Sequence, residues 1–183
     1  PHLDQRLPED PYITVPTQRI GQYGGTMRVF HRDQGLVTGL EPPLGIDPIV
    51  RDVLPNLAQS WEYSDDGREL TLHLRPGLKW SDGHPFTSAD AVFRHRHVRL
   101  NEELTPVVAP RWIGAQVQAL GPHTVRFSFA EPHPFFLQEL AHHGDGWFPP
   151  AHFLRDYHPD FVERDVLIGR ADEAGFISWM AYF

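Results

Sequence analysis

Residues 54–93 read LPNLAQSWEYSDDGRELTLHLRPGLKWSDGHPFTSADAVF, and their punctuation decides the fold. Residues 57–64 read as a strand, with Trp61 and Tyr63 on one face. Asp65-Asp66-Gly67 is a hairpin signal between it and a returning strand. In the return, residues 69–75, Leu70, Leu72 and Leu74 point one way and Thr71, His73 and Arg75 the other. That period of two marks a half-buried antiparallel strand. A second Asp-Gly turn follows at Asp82-Gly83, and Gly67 and Gly83 suit the positive φ of tight turns. Arg75 and Asp82 are expected to pair across that turn. Thr87 is an N-cap with Asp90 three residues on, a variant of the capping box. Ala89, Val92, Phe93 and Leu100 then share a helical face, and the helix fades near Asn101, ahead of Pro106.

Working outward, a second hairpin is expected. Ile113, Ala115, Val117 and Ala119 alternate, Gly121-Pro122 turns, and Val125, Phe127 and Phe129 alternate back. Pro134 suits the first turn of a helix whose apolar side is Phe135, Phe136, Leu137 and Leu140. Gly144-Asp145-Gly146 ends it. Pro150 opens another helix through Tyr157, and residues 165–183 read as helical with a break near Gly175. On the N-terminal side, residues 1–22 form an extended arm broken by Pro8, Pro11 and Pro16. Residues 26–31 form a strand after Gly24-Gly25, residues 33–43 a loop, and residues 44–47 a short strand. The expected class is α/β of the α+β kind: a mostly antiparallel sheet of hairpins with helices packed on it.

The bulk numbers fit this and exclude several functions. The 183 residues suffice for one substantial core, with 40% hydrophobic and 22% charged side chains. A net charge of −8 argues against nucleic acid, which needs clustered Lys and Arg. Twelve histidines would more than cancel that charge if all were protonated near pH 5. The absence of cysteine removes disulfides and thiolate metal sites. The opening at Pro1 leads us to expect that an upstream segment, such as a signal peptide, preceded it.

Catalytic and cofactor signals are weak. There is no GxSxG, HExxH or phosphate-binding loop motif, and no cofactor is expected. His95 and His97 are two apart on a predicted helix, so they face apart and cannot chelate together. His142-His143 with His152 and His158 would make a metal cluster only by tertiary accident, and a surface reading is preferred; no metal is expected. Asp65, Asp66 and Asp82 sit in turns rather than facing across a cleft, as paired glycosidase carboxylates would.

The central stretch resembles the signature of the family 5 extracellular solute-binding proteins. That pattern is Pro-x-Leu-Ala-x-x-Trp, an Asp-Gly turn, a strand ending His-Leu-Arg, a Lys-Trp/Phe-x-Asp-Gly turn and a Thr-Ala-x-Asp-Val-x-Phe helix. Here it is matched by Pro55, Leu57-Ala58 and Trp61; Asp66-Gly67; His73-Leu74-Arg75; Lys79-Trp80-Ser81-Asp82-Gly83; and Thr87 through Asp90 to Val92-Phe93. Gly24-Gly25-Thr26 with Arg28-Val29, residues 101–106, residues 124–127, Glu131-Pro132 and Pro134-Phe135 extend the likeness from about Tyr23 to the last residue.

The resemblance implies a bilobed periplasmic-binding-protein-like receptor that hands a solute, an oligopeptide, to the permease of an ABC importer at the periplasmic or extracellular face of the cytoplasmic membrane. Capture would be closure around a cleft with no bond chemistry. Residues 23–183 would be the N-terminal part of lobe one. The second lobe is absent from this chain, and the loop before Leu44 is shorter than in relatives, without room for their helix. The implied ligand contacts are Asp33, Gln34 and Leu36 in the loop after the first strand, His142 at a helix end, and Trp147 beyond it. Taken without the resemblance, His142 reads as an exposed helix-terminal histidine favoured by the dipole and Trp147 as core. A partial lobe cannot clamp a solute alone. The alternative is therefore a lobe reused as a non-enzymatic interaction subunit, its missing-lobe surface and apolar end (Phe176, Trp179, Met180, Tyr182, Phe183) covered by other chains. A hydrolase ranks last, since no nucleophile–base pairing is visible.

Overall fold

A computed structural model of the chain describes residues 8, 10, 11, 44–46, 53–142 and 148–183. The expected strand at residues 26–31, the loop at 33–43, the Gly144-Asp145-Gly146 turn and most of the arm at 1–22 lie outside them. Two sheets are present among the described residues. β1 (Leu44–Ile46) pairs antiparallel with β2 (Val53–Pro55) as a short ribbon. The larger sheet holds β3 (Ala58–Tyr63), β4 (Glu69–Leu74), β5 (Gln116–Gly121) and β6 (Thr124–Ser128) in the order β3-β4-β6-β5, all antiparallel. Both expected hairpins are therefore real, and β4 lies against β6 to join them.

The first hairpin closes as its residues dictate. The Gly67 N–H donates to the Ser64 carbonyl (2.9 Å), and the Ser64 hydroxyl takes the Glu69 N–H (2.9 Å) while donating to Asp66 Oδ1 (2.6 Å). Gly67 itself sits at φ +68°, where a Cβ is disfavoured. The Asp82-Gly83 turn is a smaller copy. The Gly83 N–H donates to the Trp80 carbonyl (2.9 Å), and Gly83 has φ +90°.

Register puts Trp61, Leu72 and Val125 in line across the sheet, and Tyr63, Leu70, Phe127 and Val117 in the next row. Leu70, Leu72 and Val125 are fully buried and Leu74 and Phe127 nearly so. The opposite rows carry Glu62, Thr71, Arg126 and Gln118. Arg126 pairs with Glu69 (3.4 Å) and His73 with Glu62 (3.5 Å) on that polar face. Onto the apolar face pack α1 (Ser88–Phe93) and α2 (Phe136–His142), with Trp112, Phe136, Leu137 and Leu140 filling the core. Trp112 meets Phe136 edge-on at 5.0 Å, an arrangement aromatic rings favour.

The helix after Thr87 begins as expected. The Thr87 side chain accepts from the Ala89 N–H, and Asp90 Oδ2 accepts the Thr87 N–H (2.9 Å), a closed capping box. Its buried face differs from the expectation: Ser88, Asp90, Ala91 and Phe93 face inward, while Ala89 and Leu100 are exposed. Two polar residues set that rotation because both find partners inside. Ser88 Oγ donates to the Gly121 carbonyl (2.5 Å), and Asp90 Oδ1 accepts the Ala151 N–H (2.9 Å). Beyond Phe93 the helix widens to a π-helix, Arg94–Arg99, and the Leu100 N–H reaches back five residues to the His95 carbonyl (3.1 Å). The wider turn advances the phase and carries Leu100 outward.

Other departures are local. Arg75 does not pair with Asp82. It is buried, and its guanidinium donates to the carbonyls of Asn56 (2.7 Å) and Asp10, with Asp10 Oδ2 at 3.5 Å. Arg75 leaves the end of β4 beside the β2–β3 junction, whereas Asp82 sits at a turn tip that faces His152. Ile113 is 70% exposed and Ala119 is exposed, because a 3₁₀ turn at Pro110–Trp112 buries Trp112 instead and β5 starts only at Gln116. Phe135 is exposed because α2 begins one residue later.

The C-terminal part follows its proline and glycine marks. α3 (Ala151–Leu154) runs into a 3₁₀ turn, Arg155–Tyr157. α4 (Arg164–Glu173) ends before Gly175 at φ +79°, and α5 (Trp179–Tyr182) follows. Trp179 is buried rather than part of an exposed apolar end, and its Nε1–H donates to Glu103 (3.0 Å), which also pairs with Arg164. Phe176, Ile177 and Met180 remain exposed. No helix among the described residues is long and apolar enough to cross a membrane.

Candidate functional site

Of the five residues expected to meet a solute, His142 alone falls among the described residues, as the last residue of α2. Asp33, Gln34, Leu36 and Trp147 lie outside them, so the described structure does not bring the five together. The helix that His142 ends is packed against the sheet. Phe136, Leu137 and Leu140 bury one side of it, and the Leu137 N–H donates to Tyr63 Oη (3.0 Å). Tyr63 is itself fixed in β3, so the sheet holds the start of α2. Burial raises the Tyr63 phenol above its ordinary range, which keeps it a neutral donor and acceptor.

The titratable side chains elsewhere are tied into the architecture. His152 Nε2 lies 2.6 Å from Asp82 Oδ2, and the His84 N–H donates to Asp82 Oδ1 (2.9 Å). The His84 and His152 rings stack at 3.9 Å. These bonds hold the Asp82 carboxyl below the usual carboxylate range, with His152 the largest cause. This cluster clips the Asp-Gly turn to α3. Burial pushes the Asp90 carboxyl up, against the N–H groups of Thr87 and Ala151. Its job is to join the α1 cap to the first residue of α3.

Of the histidine grouping the sequence raised, His152 and His158 have described side chains, and they go to different partners. His152 goes to Asp82. His158 is fully buried rather than superficial, beside His97 and Asp160, and these three bring potential metal donors within 4.8 Å of one another. Their hydrogen bonds argue for a structural knot. His158 Nε2–H donates to the His97 carbonyl (2.6 Å), and the Asp160 N–H donates to His158 Nδ1 (3.1 Å). Both ring nitrogens of His158 are therefore used, and a metal would have to break one of these bonds. His97 Nδ1 takes Asp160 Oδ2 at 2.6 Å. Sequence reading missed this knot because its partners lie about sixty positions apart. The spacing of His158 and Asp160 was its one visible trace.

His95 faces away from His97, as the spacing required. It packs near Trp112, over whose ring Arg99 Cζ lies at 3.4 Å. Burial, then the neighbouring Arg99 charge, lowers the His95 pKa to about 4. Its Nδ1 has no hydrogen-bond partner among the described residues, as suits a neutral ring whose other nitrogen serves the Ala115 carbonyl.

Residues 52–167 match the family described as bacterial extracellular solute-binding proteins, family 5 Middle. The chain is 30% identical over 194 residues to the periplasmic alpha-galactoside-binding protein of Rhizobium meliloti, a match covering 88% of this chain and 28% of that one. A solved oligopeptide-binding protein OppA superposes with a TM-score of 0.89 at 34% identity, covering 100% of this chain and 30% of its own. The periplasmic binding protein MelB of Agrobacterium fabrum, solved with stachyose, gives a TM-score of 0.60 at 29% identity over 68% of this chain and 20% of its own. The chain thus spans less than a third of the length of these relatives. By the extent of the family match and by its fold, this chain belongs to the family 5 bacterial extracellular solute-binding proteins.

Proposed function

We propose that the protein carrying this chain captures a solute, an oligopeptide, in the periplasm and presents it to the permease of an ABC importer. In this reading residues 23–183 are the N-terminal part of lobe one. The solute lies in a cleft between lobes, touched by Asp33, Gln34, Leu36, His142 and Trp147. It is held by shape, hydrogen bonds and aromatic walls, without bond chemistry. One observation carries the proposal: the whole chain superposes on an oligopeptide-binding protein at a TM-score of 0.89. The clusters described above support a binder rather than a catalyst, because each histidine–carboxylate contact ties two elements together.

A second reading has its own support. The relative matched over 88% of this chain is named for alpha-galactosides, and MelB was solved with stachyose. The solute would then be an oligosaccharide, stacked on aromatic side chains such as Trp147. Calorimetric titration of the full-length protein with mixed tri- to pentapeptides, and separately with stachyose, decides between them. The peptide reading expects saturable one-site binding of peptide, weakened about tenfold or more by Trp147→Ala. Binding of stachyose alone replaces it with the second reading. No binding of either class, or binding indifferent to Trp147→Ala and His142→Ala, overturns the assigned site.

A further inference from the structure

A hollow of about 540 Å³ opens beside α1 and its π-helical continuation, closed on the far side by β5, α3 and Phe161. None of the residues assigned to the solute cleft lines it. Its volume lies within the range of small-molecule sites. Val92, Phe93, Ala119 and Phe161 provide apolar wall, and two arginines, Arg96 and Arg155, also line it. Neither arginine pairs with a carboxylate among the described residues, although the chain is acidic overall. Arg155 is held in place, its Cζ 4.4 Å over the Phe161 ring. His97 also lines the hollow, but Asp160 occupies its Nδ1 at 2.6 Å.

We propose that this hollow is an accessory site for a small organic monocarboxylate with an apolar body. The carboxylate is the part that matches two forked, otherwise unopposed guanidiniums. The aromatic and aliphatic wall is the part that calls for a hydrocarbon portion. The Asp160 carboxylate bonded to His97 of the wall disfavours a polyanion, since a second or third negative charge would add to it. This proposal does not rest on the reading of the solute cleft, and it survives or fails separately.

The test uses the full chain labelled at alanine and valine methyls, titrated with 4-phenylbutyrate and with its neutral analogue 4-phenylbutanamide. Saturating shifts are expected at Ala89, Val92, Ala119 and Ala151, with a Kd below about 1 mM for the acid and about tenfold weaker binding of the amide. Arg96→Gln and Arg155→Gln are surface changes that should leave the fold and the amide affinity unchanged. Each should weaken the acid several-fold, and together they should abolish its advantage. Absence of saturable shifts at those four residues overturns the proposal. So does equal binding of acid and amide, or undiminished acid binding in the double variant.

Discussion

His95 should make this domain acid-labile in a way that one substitution can isolate. The ring is 3% exposed, wedged beside Trp112, with the Arg99 guanidinium close by. Protonating it in place means burying a cation next to another cation, and its pKa falls from 6.5 to about 4. The sign follows directly. An unfolded chain protonates near 6.5 while the folded one resists, so the unfolded state binds the extra proton first as pH drops. The contribution of neutral His95 is intact above the unfolded value and is lost progressively as pH falls toward about 4. That interval, roughly two and a half pH units at about 1.4 kcal/mol each, amounts to about 3.5 kcal/mol. Urea unfolding at about pH 7.5 and about pH 4.5, on wild type and His95→Gln, gives the comparison. The variant loses packing and is expected to be less stable at neutral pH. Its stability should then fall by about 2–3 kcal/mol less than wild type between the two conditions. Parallel pH dependences in the two proteins, or a His95 resonance titrating near its ordinary value in the folded protein, would refute the reasoning.

Other consequences are simpler to read. Leu72→Ala removes a fully buried side chain from the middle of β4, where neighbours on both sides are strands that cannot collapse inward. It should cost about 3–4 kcal/mol, and a loss of unfolding free energy under about 1 kcal/mol by urea titration would contradict the core described here. Gly67→Ala meets no steric obstacle, since its Cβ would lie 3.7 Å from Pro132 Cβ, so the cost should come from φ +68° alone. About 1–2 kcal/mol by thermal or urea unfolding is expected, and a neutral result would mean the turn is not left-handed there.

Much of this architecture was legible in the chain because its signals are local. The alternation of Leu70, Leu72 and Leu74, the Asp-Gly corners and the Thr87–Asp90 pair each act within a few residues, and each appears in the structure. What was not legible depends on partners far away. The rotation of α1 follows from Ser88 reaching Gly121 and Asp90 reaching Ala151, which no helical periodicity encodes. Arg75 chose backbone carbonyls and Asp10 over Asp82 for the same reason. The β2 strand was not foreseen; its Pro55 lacks an N–H, which an edge position tolerates. The knot of His97, His158 and Asp160 joins residues about sixty apart. The solute-facing residues came from family likeness, not from any physical signature in the chain.

The seam between β4 and β6 has a kinetic consequence. Each hairpin can zip locally, within microseconds, but the two must find one another across some fifty intervening residues before the four-stranded sheet exists. Until then the leucines of β4 and the Val125–Phe127 edge are sticky, unpaired ribbons. The slow step of maturation should be their meeting, and during that interval the nascent chain is most exposed to aggregation and most dependent on whatever escorts it.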